Sequence, residues 1–279
     1  MCNVSTTFLS NEGVESSCFA HFSPSTVTTL AIIPAFNEAR AIGQVVSDIP
    51  DRLVDEVVVV NNASTDATKT NARAAGATVI DESRQGYGAA CLRGIKYARA
   101  QQPDIIVFLD GDYSDHPEEM PRLVEPIAAD EADFVVGSRI RGESEAGALL
   151  PQAQAGNRLA CTLMERIWDA DYTDLGPFRA IRFSDLRALN MQDTTFGWTT
   201  EMQIKAVEAG LRVEEVPVSY RRGIGPSKIT GTLSGTVKAS AKILWTISRM
   251  AATTHRRAPR LRERVAQARD QEPVPDVRE

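Results

Sequence analysis

The sequence has 279 residues, enough for one large domain or two small ones. Its 31 Lys and Arg residues and 37 Asp and Glu residues give a net charge of −6. This charge argues against a nucleic-acid partner, because sequence-independent binding needs a basic surface. Hydrophobic residues make up 43% and charged residues 24% of the chain, a composition typical of a globular protein. General disorder, collagen and a coiled coil are thereby excluded.

The four cysteines and three histidines are scattered and form no C-x-x-C pair. In a chain of this length they indicate isolated thiols in a reducing compartment, not a disulfide framework or a Cys/His zinc site. Residues 1–28 contain no Lys or Arg and no continuous apolar run. We therefore expect neither a secretory signal nor an Arg-rich transit peptide, and we predict a cytoplasmic chain.

Short apolar runs alternate with helical patterns over about 110 residues. The predicted strands are Thr29–Pro34, Asp55–Val60, Ala77–Ile80, Ile105–Leu109 and Phe134–Val136. The predicted helices between them are Ala41–Ile49, Ala67–Ala75, Tyr87–Ala100 and Pro117–Ile127. Runs that are apolar on both faces are typical of a parallel sheet covered by helices. The alternation predicts right-handed βαβ units and a doubly wound, mostly parallel α/β sheet, with this half of the chain at about 29–140.

The second half of the chain has a less regular pattern. It predicts helices at Asn157–Trp168 and Thr199–Ala209, a strand at Phe178–Phe183, an edge strand at Val213–Val218 and an amphipathic helix at Leu233–Met250. We divide the chain into a flexible N-terminal arm at 1–28, a main domain at 29–232 with two halves that meet near residue 140, a C-terminal amphipathic helix at 233–254 and a charged tail at 255–279. Lys238, Lys242 and Arg249 interrupt the apolar residues of the last helix, so we expect no transmembrane span there.

Two carboxylates follow the predicted strand at 105–109. Asp110 and Asp112 stand at its C-terminal end, where open α/β sheets bind ligands. Alternate residues beyond a strand can point the same way, so both carboxylates could bind one hard cation. Mg²⁺ or Mn²⁺ there would bridge nucleotide phosphates and stabilise a departing diphosphate. Taken alone, the D-G-D sequence is equally compatible with a solvated turn.

Four further polar segments follow predicted strands at the same edge of the sheet. They are PAFNE from Pro34 to Glu38, NNASTD from Asn61 to Asp66, RQGYGAA from Arg84 to Ala90, and GSR from Gly137 to Arg139. The amides and hydroxyls suit a base or a ribose. Arg84 and Gly88 suit an anion, because glycine permits close backbone approach and a helix N-terminus favours negative charge. Each segment alone is compatible with ordinary turn chemistry, but their convergence on one edge favours a nucleotide site.

The order and spacing of these segments resemble those of the GT-A nucleotide-sugar glycosyltransferases of family 2. Within that family the sequence is most similar to polyprenyl-phosphate (dolichyl-phosphate) hexosyltransferases. Three segments carry this closer resemblance: GSR, DLGPFRA from Asp174 to Ala180, and RGIGPSK from Arg222 to Lys228. The resemblance covers residues 29–232 and implies a Rossmann-like nucleotide-binding half at about 29–140 and an acceptor half at about 141–232. It implies a GT-A fold and a metal-dependent, inverting transfer of a hexose from a UDP- or GDP-linked donor to a polyprenyl phosphate.

The resemblance also implies roles for single residues. Pro34, Phe36, Glu38 and Asn62 would line the nucleotide pocket, and Asp110 and Asp112 would flank the metal and the diphosphate. Arg139 would face the acceptor phosphate, and Arg222 and Lys228 would close over the phosphates from a mobile loop. Two positions depart from the family pattern. Asn61 and Asn62 replace the usual Asp pair, which puts the identity of the base in doubt, and Ser114 replaces a third polar metal ligand, so that water would complete the shell.

The acceptor determines whether the reaction needs a base. The oxygen of a lipid phosphate is already anionic, so arginines, above all Arg139, would matter most. A soluble hydroxyl acceptor is the alternative, and it requires a carboxylate within hydrogen-bond reach. Glu201 lies where many inverting members of the resembled family carry such a base. Asp174 is the other candidate, although it is equally interpretable as a structural cap or as a partner of Arg179.

Other α/β enzymes and other partners are alternatives to this interpretation. A nicotinamide-dependent dehydrogenase and a sugar-phosphate nucleotidyltransferase are excluded, because the turn after the first strand lacks their glycine-rich loops. A catalytically silent nucleotide-sugar-binding homologue stays open, and donor turnover would distinguish it from an enzyme. The helix at 233–250 and the Arg-rich stretch to Arg269 could contact an anionic membrane at its inner face. A helix packed on the catalytic domain and followed by a solvated tail is slightly favoured, because Glu263 interrupts the arginines and acidic residues follow them.

Overall fold

The computed structural model describes residues 27–225 and 233–270. Residues 1–26 of the predicted arm, Lys228 and residues 271–279 lie outside the described residues. The strands are β1 Thr29–Ala35, β2 Glu56–Asn61, β3 Thr78–Asp81, β4 Ile105–Phe108, β5 Phe134–Ser138, β6 Arg179–Arg182 and β7 Val213–Pro217. The helices are α1 Ile42–Ser47, α2 Thr68–Ala74, α3 Tyr87–Gln101, α4 Pro121–Ala128, α5 Pro151–Trp168, α6 Phe183–Leu189, α7 Trp198–Ala209, α8 Leu233–Ala251 and α9 Thr254–Asp270. A short 3-10 helix, Pro117–Glu119, precedes α4.

The strands form one sheet in the order β3-β2-β1-β4-β6-β5-β7. Strand β6 is antiparallel to both of its neighbours, β4 and β5, and the other four pairings are parallel. The doubly wound, mostly parallel sheet predicted from the sequence is therefore confirmed. Strand β7 lies at the edge, which is where Pro217 is tolerated because an edge strand leaves one row of backbone groups unpaired.

Helices cover both faces of the sheet, and two apolar clusters fill the space between the layers. Consecutive β1 residues alternate between them: Ile32 packs with α3 and the C-terminal helices, and Ile33 packs with α1 and α4. Since each strand is buried on both sides, its sequence is apolar without alternation. This arrangement leaves the carboxyl ends of β1, β2 and β4 at one common edge.

Most of the predicted charged tail is helical. Residues 254–270 form helix α9, which packs on α6 and α7. Arg257 pairs with Glu208 at 2.5 Å, and Arg269 pairs with Asp133 at 2.9 Å. Both carboxylates are almost fully buried. These arginines pair with buried acidic groups of the preceding part of the chain, so the stretch up to residue 270 is not the solvated tail that the sequence favoured. No helix in the described ranges is both long enough and apolar enough to cross a membrane.

Candidate active site

A cavity of about 480 Å³ opens at the common edge of the parallel strands. Its polar wall contains eight of the predicted site residues: Pro34, Phe36, Glu38, Asn62, Asp110, Asp112, Arg139 and Asp174. The loop before α5 and helices α5 and α8 contribute a mostly apolar wall, with Leu149, Leu150, Ala153, Ala239 and Ile243, although Gln154, Asn157 and Ser240 of the same helices also line the cavity. The strand ends bring the polar residues together because parallel strands expose their carboxyl termini on the same side.

The loop that follows β4 carries three carboxylates, those of Asp110, Asp112 and Asp115. Asp112 Oδ1 accepts hydrogen bonds from the Ser114 amide at 3.0 Å and from the Ser114 hydroxyl at 2.5 Å. Asp115 is buried, and its Oδ2 accepts a hydrogen bond from the Asp110 amide at 3.0 Å. Burial and the charges of Asp115 and Asp112 raise the pKa of Asp110 well above its usual value. Burial and the Asp112 charge also raise the pKa of Asp115, to about 6, against the opposing hydrogen bond from the Asp110 amide.

This loop fits a divalent cation by the chemistry of its donors. Asp110 and Asp112 offer hard carboxylate oxygens to the cavity, and Asp115 Oδ1 is buried without a hydrogen-bond partner among the described residues. No group of three or more His, Cys, Asp or Glu side chains in the described ranges is arranged to hold a metal by itself. The other ligands of Mg²⁺ or Mn²⁺ would therefore be phosphate oxygens and water. The Ser114 hydroxyl is already engaged by Asp112.

Arg139 and Asp174 form a bidentate ion pair beside the cavity. Arg139 donates through Nε to Oδ2 and through Nη2 to Oδ1, both at 2.8 Å, and its amide donates to Oδ2 at 2.9 Å. Although burial opposes its charge, the Asp174 carboxylate raises the pKa of Arg139. The guanidinium carries five N–H donors, so three remain for a ligand. Asp174 is thus the partner of Arg139, and not of Arg179, which donates instead to the carbonyl oxygens of residues 175, 176 and 199.

Glu201 is not brought to the cavity. It is 2% exposed on the first turn of α7, and Lys205 Nζ lies 2.8 Å from its Oε1. The amides of Gln192 and Asp193 donate to its Oε2 at 3.1 and 2.7 Å. Among the described residues of α7, Thr199 lines the cavity instead. The prediction of a catalytic base at Glu201 therefore lacks geometric support, because this carboxylate fixes the loop between α6 and α7.

Asn62 lines the cavity and also fixes the loop that carries Arg84. Its Oδ1 accepts a hydrogen bond from the Gly86 amide at 2.8 Å, and its Nδ2 donates to the Arg84 carbonyl at 2.7 Å. The Arg84 side chain is exposed and is not among the described residues that line the cavity. Asn62 could still contact a nucleotide base through the second lone pair of its Oδ1. The Arg84 side chain, in contrast, lies away from the cavity.

Gly88 serves packing between protein segments, in contrast to the predicted approach of backbone to a ligand. A Cβ at this buried position would lie 2.2 Å from the Asp193 carbonyl oxygen. The neighbouring Ala89 amide donates to the Thr194 carbonyl at 2.9 Å, so the first turn of α3 is in direct contact with this loop. Only glycine allows this approach, because the obstructing atom belongs to the backbone.

Replacing Gly88 by Ala is expected to destabilise the protein by about 1–3 kcal/mol, since the added methyl group must push the 193–194 backbone away. Urea unfolding measures this free energy. Gly43 in α1 is the matched control, because a Cβ there meets nothing within 4 Å. Gly43→Ala should be neutral or stabilising by up to about 1 kcal/mol. Equal effects of the two substitutions would refute the packing role of Gly88.

Arg222 lies outside the cavity lining of the described residues, while its neighbours cover the Asp112 loop. The exposed Arg222 side chain donates from Nε to the Ala146 carbonyl at 3.0 Å. The Ile224 amide donates to the Asp112 carbonyl at 2.8 Å, and a Cβ on Gly223 would lie 2.6 Å from Asp112 Oδ2. The segment that the sequence expected to close over the phosphates therefore packs on the carboxylate loop up to residue 225. The predicted contact of Lys228 lies outside the described residues.

Three site residues were missed by the sequence analysis. Asp115 lies behind the predicted carboxylate pair, and Tyr87 and Tyr220 line the cavity. The Tyr220 ring lies 5.0 Å from the Arg139 guanidinium carbon and helps to hold it. A third acid in the run DGDYSD was a visible signal for Asp115. No comparable sequence signal marks Tyr220, whose position depends on β7.

A model of the glycosyl transferase family 2 matches residues 30–189. The chain is 33% identical to an uncharacterized glycosyltransferase of Mycobacterium tuberculosis, over 75% of this chain and 92% of the relative. It is 34% identical to a dolichyl-phosphate hexose transferase of Haloferax volcanii, over 71% and 85%. It is 29% identical to an undecaprenyl-phosphate mannosyltransferase of Micrococcus luteus, over 74% and 89%.

Solved structures give the same fold. Glucosyl-3-phosphoglycerate synthase of Mycobacterium tuberculosis, in complex with phosphoglyceric acid, superposes with a TM-score of 0.66 and 23% identity, over 81% of this chain and 80% of that one. The same enzyme in complex with Mn²⁺, UDP and glucosyl-3-phosphoglycerate gives 0.65 and 23%, over the same shares of the two chains. At this identity the likeness shows a shared arrangement of strands and helices.

Proposed function

The chain belongs to glycosyl transferase family 2 and has the GT-A fold, and from this premise we propose that it moves a hexose from a UDP- or GDP-linked donor to a polyprenyl phosphate. Family membership establishes a glycosyltransferase. The metal dependence, the inversion at the anomeric carbon and the identity of the acceptor are the proposal. The observation that carries it is one cavity that combines carboxylates, the Arg139 guanidinium and a mostly apolar wall.

The polar wall supports binding of a nucleotide diphosphate sugar. Phe36, Glu38 and Asn62 follow β1 and β2 and offer a ring, a carboxylate and an amide to a nucleoside. Asp110 and Asp112 would hold Mg²⁺ or Mn²⁺, which when bound offsets the negative charge that develops on the leaving diphosphate. The structurally similar glucosyl-3-phosphoglycerate synthase has been crystallised with both UDP and Mn²⁺.

The apolar wall supports a lipid acceptor. A polyprenyl phosphate joins an anionic headgroup to a long hydrocarbon chain, and the cavity offers a surface for each part. Arg139 retains N–H donors that can orient the phosphate, while Leu149 and Ile243 belong to the wall that the hydrocarbon chain would contact. Two relatives, from Haloferax volcanii and Micrococcus luteus, are named for transfer to dolichyl and undecaprenyl phosphate.

The contacts of Glu201 and Asp174 favour a phosphate acceptor over the alternative, a soluble hydroxyl. A hydroxyl acceptor requires a base, and Glu201 is bound to the loop between α6 and α7. Both oxygens of Asp174 accept hydrogen bonds from Arg139. A phosphate oxygen is anionic at neutral pH and needs no base to attack the anomeric carbon. Arg139 would then orient the attacking oxygen, and Asp174 would orient Arg139.

We expect Arg139→Lys to lower kcat/KM for a polyprenyl phosphate roughly 10- to 100-fold, because lysine keeps the charge and loses the planar fork. The measurement is steady-state transfer to a short-chain polyprenyl phosphate in detergent, with the unphosphorylated alcohol as a comparison acceptor. Arg141→Lys is the matched control, because this exposed arginine lies at the end of the same strand and contacts Glu215. Stabilisation by the donor nucleotide should be unchanged in both variants.

Unchanged acceptor kinetics in Arg139→Lys would remove the phosphate-orienting role. Transfer to the alcohol at the rate seen with the phosphate would instead support the alternative acceptor and a base that remains to be identified. Binding of a donor without any turnover would favour the catalytically silent homologue.

A further inference from the structure

Helices α5 and α8 lie side by side and run in the same direction. A Cβ on Gly156 in α5 would lie 3.3 Å from Ser240 Oγ in α8. At the other end of the pair, Trp168 Nε1 donates to Thr254 Oγ1, just beyond α8, at 3.1 Å. The two helices therefore share one outward face, which we call the α5–α8 face.

The α5–α8 face exposes large apolar side chains. Leu159 and Ile167 of α5 are 49% and 44% exposed, and Trp245 of α8 is 62% exposed. They are three of the four exposed large hydrophobic residues in the described ranges, and the fourth, Ile140, lines the cavity. A concentration of such residues on one surface is typical of an interaction site, whereas exposed apolar residues that occur singly over a protein surface are ordinary.

The charges around this face are mostly basic, although Glu165 of α5 is exposed as well. Helix α8 contains no Asp or Glu in any of its 19 residues. Lys238 and Arg249 are exposed and lie seven residues before and four residues after Trp245, which places all three on one side of the helix. Arg166 of α5 is also exposed, next to Ile167. The arginines of α9 that pair with buried carboxylates, such as Arg257, are not available for this surface.

The inward sides of the same helices form the apolar wall of the cavity. Ala153 of α5 and Ala239 and Ile243 of α8 line it. A hydrocarbon chain that leaves the cavity past these residues would therefore emerge beside the α5–α8 face.

We propose that the α5–α8 face docks on the surface of an anionic lipid bilayer. Trp245 and Leu159 enter the interfacial region, and Lys238, Arg166 and Arg249 contact lipid phosphates. A basic rim is complementary to anionic headgroups, whereas the same rim would repel itself in a symmetric dimer formed through this face. The inference rests on the proposed function, because docking would place the cavity where a membrane-anchored phosphate can enter.

Co-sedimentation with vesicles, without any donor, tests the docking. Wild-type protein should bind phosphatidylcholine vesicles that contain phosphatidylglycerol and should bind pure phosphatidylcholine weakly. Trp245→Glu should reduce binding to the anionic vesicles about tenfold, because it removes an interfacial anchor and adds a repelled charge. Gln101→Glu is the matched control, since it adds the same charge at an exposed position at the end of α3. This control should bind like the wild type.

Equal binding of wild type and Trp245→Glu, or equal binding to the two kinds of vesicle, would overturn the inference. A concentration-dependent dimer that Trp245→Glu abolishes, in the absence of vesicle binding, would assign the face to a second copy of the chain and would also overturn it. Transfer to a short-chain polyprenyl phosphate in detergent separates the two proposals. If that transfer persists while vesicles are not bound, the docking fails alone. If vesicles are bound while no lipid phosphate is glycosylated, the proposed function fails.

Discussion

Replacing Asp112 by Asn is expected to reduce hexose transfer about 100- to 1000-fold while the fold stays intact. The substitution removes a charged cavity oxygen that would hold the cation at the leaving diphosphate. The asparagine oxygen can still accept the hydrogen bonds that the Ser114 amide and hydroxyl donate to Oδ1. The measurement is kcat with saturating donor and Mn²⁺, together with thermal unfolding of the metal-free protein.

The metal-free Asp112→Asn variant should melt no lower than the wild type. In the wild type, the Asp112 carboxylate is one of three in this loop. Burial is the main cause of the raised pKa of Asp110, and the charges of Asp115 and Asp112 raise it further. Removing one of these like charges relieves their mutual repulsion. Asp51→Asn, at an exposed turn before β2, is the matched control and should retain full activity. Wild-type turnover of Asp112→Asn, or wild-type activity in the presence of a chelator, would contradict the metal assignment.

Replacing Asp174 by Asn is expected to lower the free energy of unfolding by about 3 kcal/mol, because it leaves the Arg139 charge without its buried partner. Asp174 is fully buried and Arg139 is 16% exposed, so solvent screens this pair only weakly. A loss of that size corresponds to a fall in Tm of about 6–12 °C for a protein of this length. Acceptor KM should also rise, since Arg139 would no longer be held in one orientation.

A double-mutant cycle separates pairing from simple loss of packing. In the variant that combines Arg139→Gln with Asp174→Asn, the uncompensated charge is gone, so it should be more stable than Asp174→Asn alone. Thermal and urea unfolding of the four proteins give the coupling free energy. If Asp174→Asn melts like the wild type, or if the two substitutions are additive, the ion pair does not hold this wall of the cavity.

Much of the fold could be predicted from the sequence because strands buried on both faces leave continuous apolar runs, as at residues 105–108. Helices α6 and α9 could not be predicted from the sequence. Helix α6 begins at Phe183, directly after β6, so one apolar run covers a strand end and a helix start. Helix α9 buries Leu261 and Val265 among many arginines, and its Arg-rich pattern resembled a solvated tail. Its ion-pair partners lie far away in sequence and could not be inferred from local patterns.

The predicted site residues also fall into two groups, those whose position follows from the local sequence and those whose contacts depend on the tertiary structure. Asp110, Asp112 and Arg139 follow strands directly, so the sheet alone brings them to the cavity. Gly88 and Arg222 contact loops from distant parts of the chain, and Glu201 is held by the loop directly before its own helix; no local pattern indicates those contacts. The pairing of Arg139 with Asp174 likewise depends on tertiary structure. It favours the interpretation of Asp174 as an ion-pair partner over its interpretation as a base, and it replaces the predicted partner, Arg179, by Arg139.

The central claim is metal-dependent hexose transfer to a polyprenyl phosphate, and mass spectrometry of the lipid product tests it most directly. The protein would be incubated with UDP-glucose or GDP-mannose and a short-chain polyprenyl phosphate, with and without Mn²⁺. We expect one donor to yield a lipid that carries a single added hexose, only when the metal is present. A hexosylated lipid formed equally well with a chelator, or no hexosylated lipid from either donor although the nucleotide binds, would contradict the account.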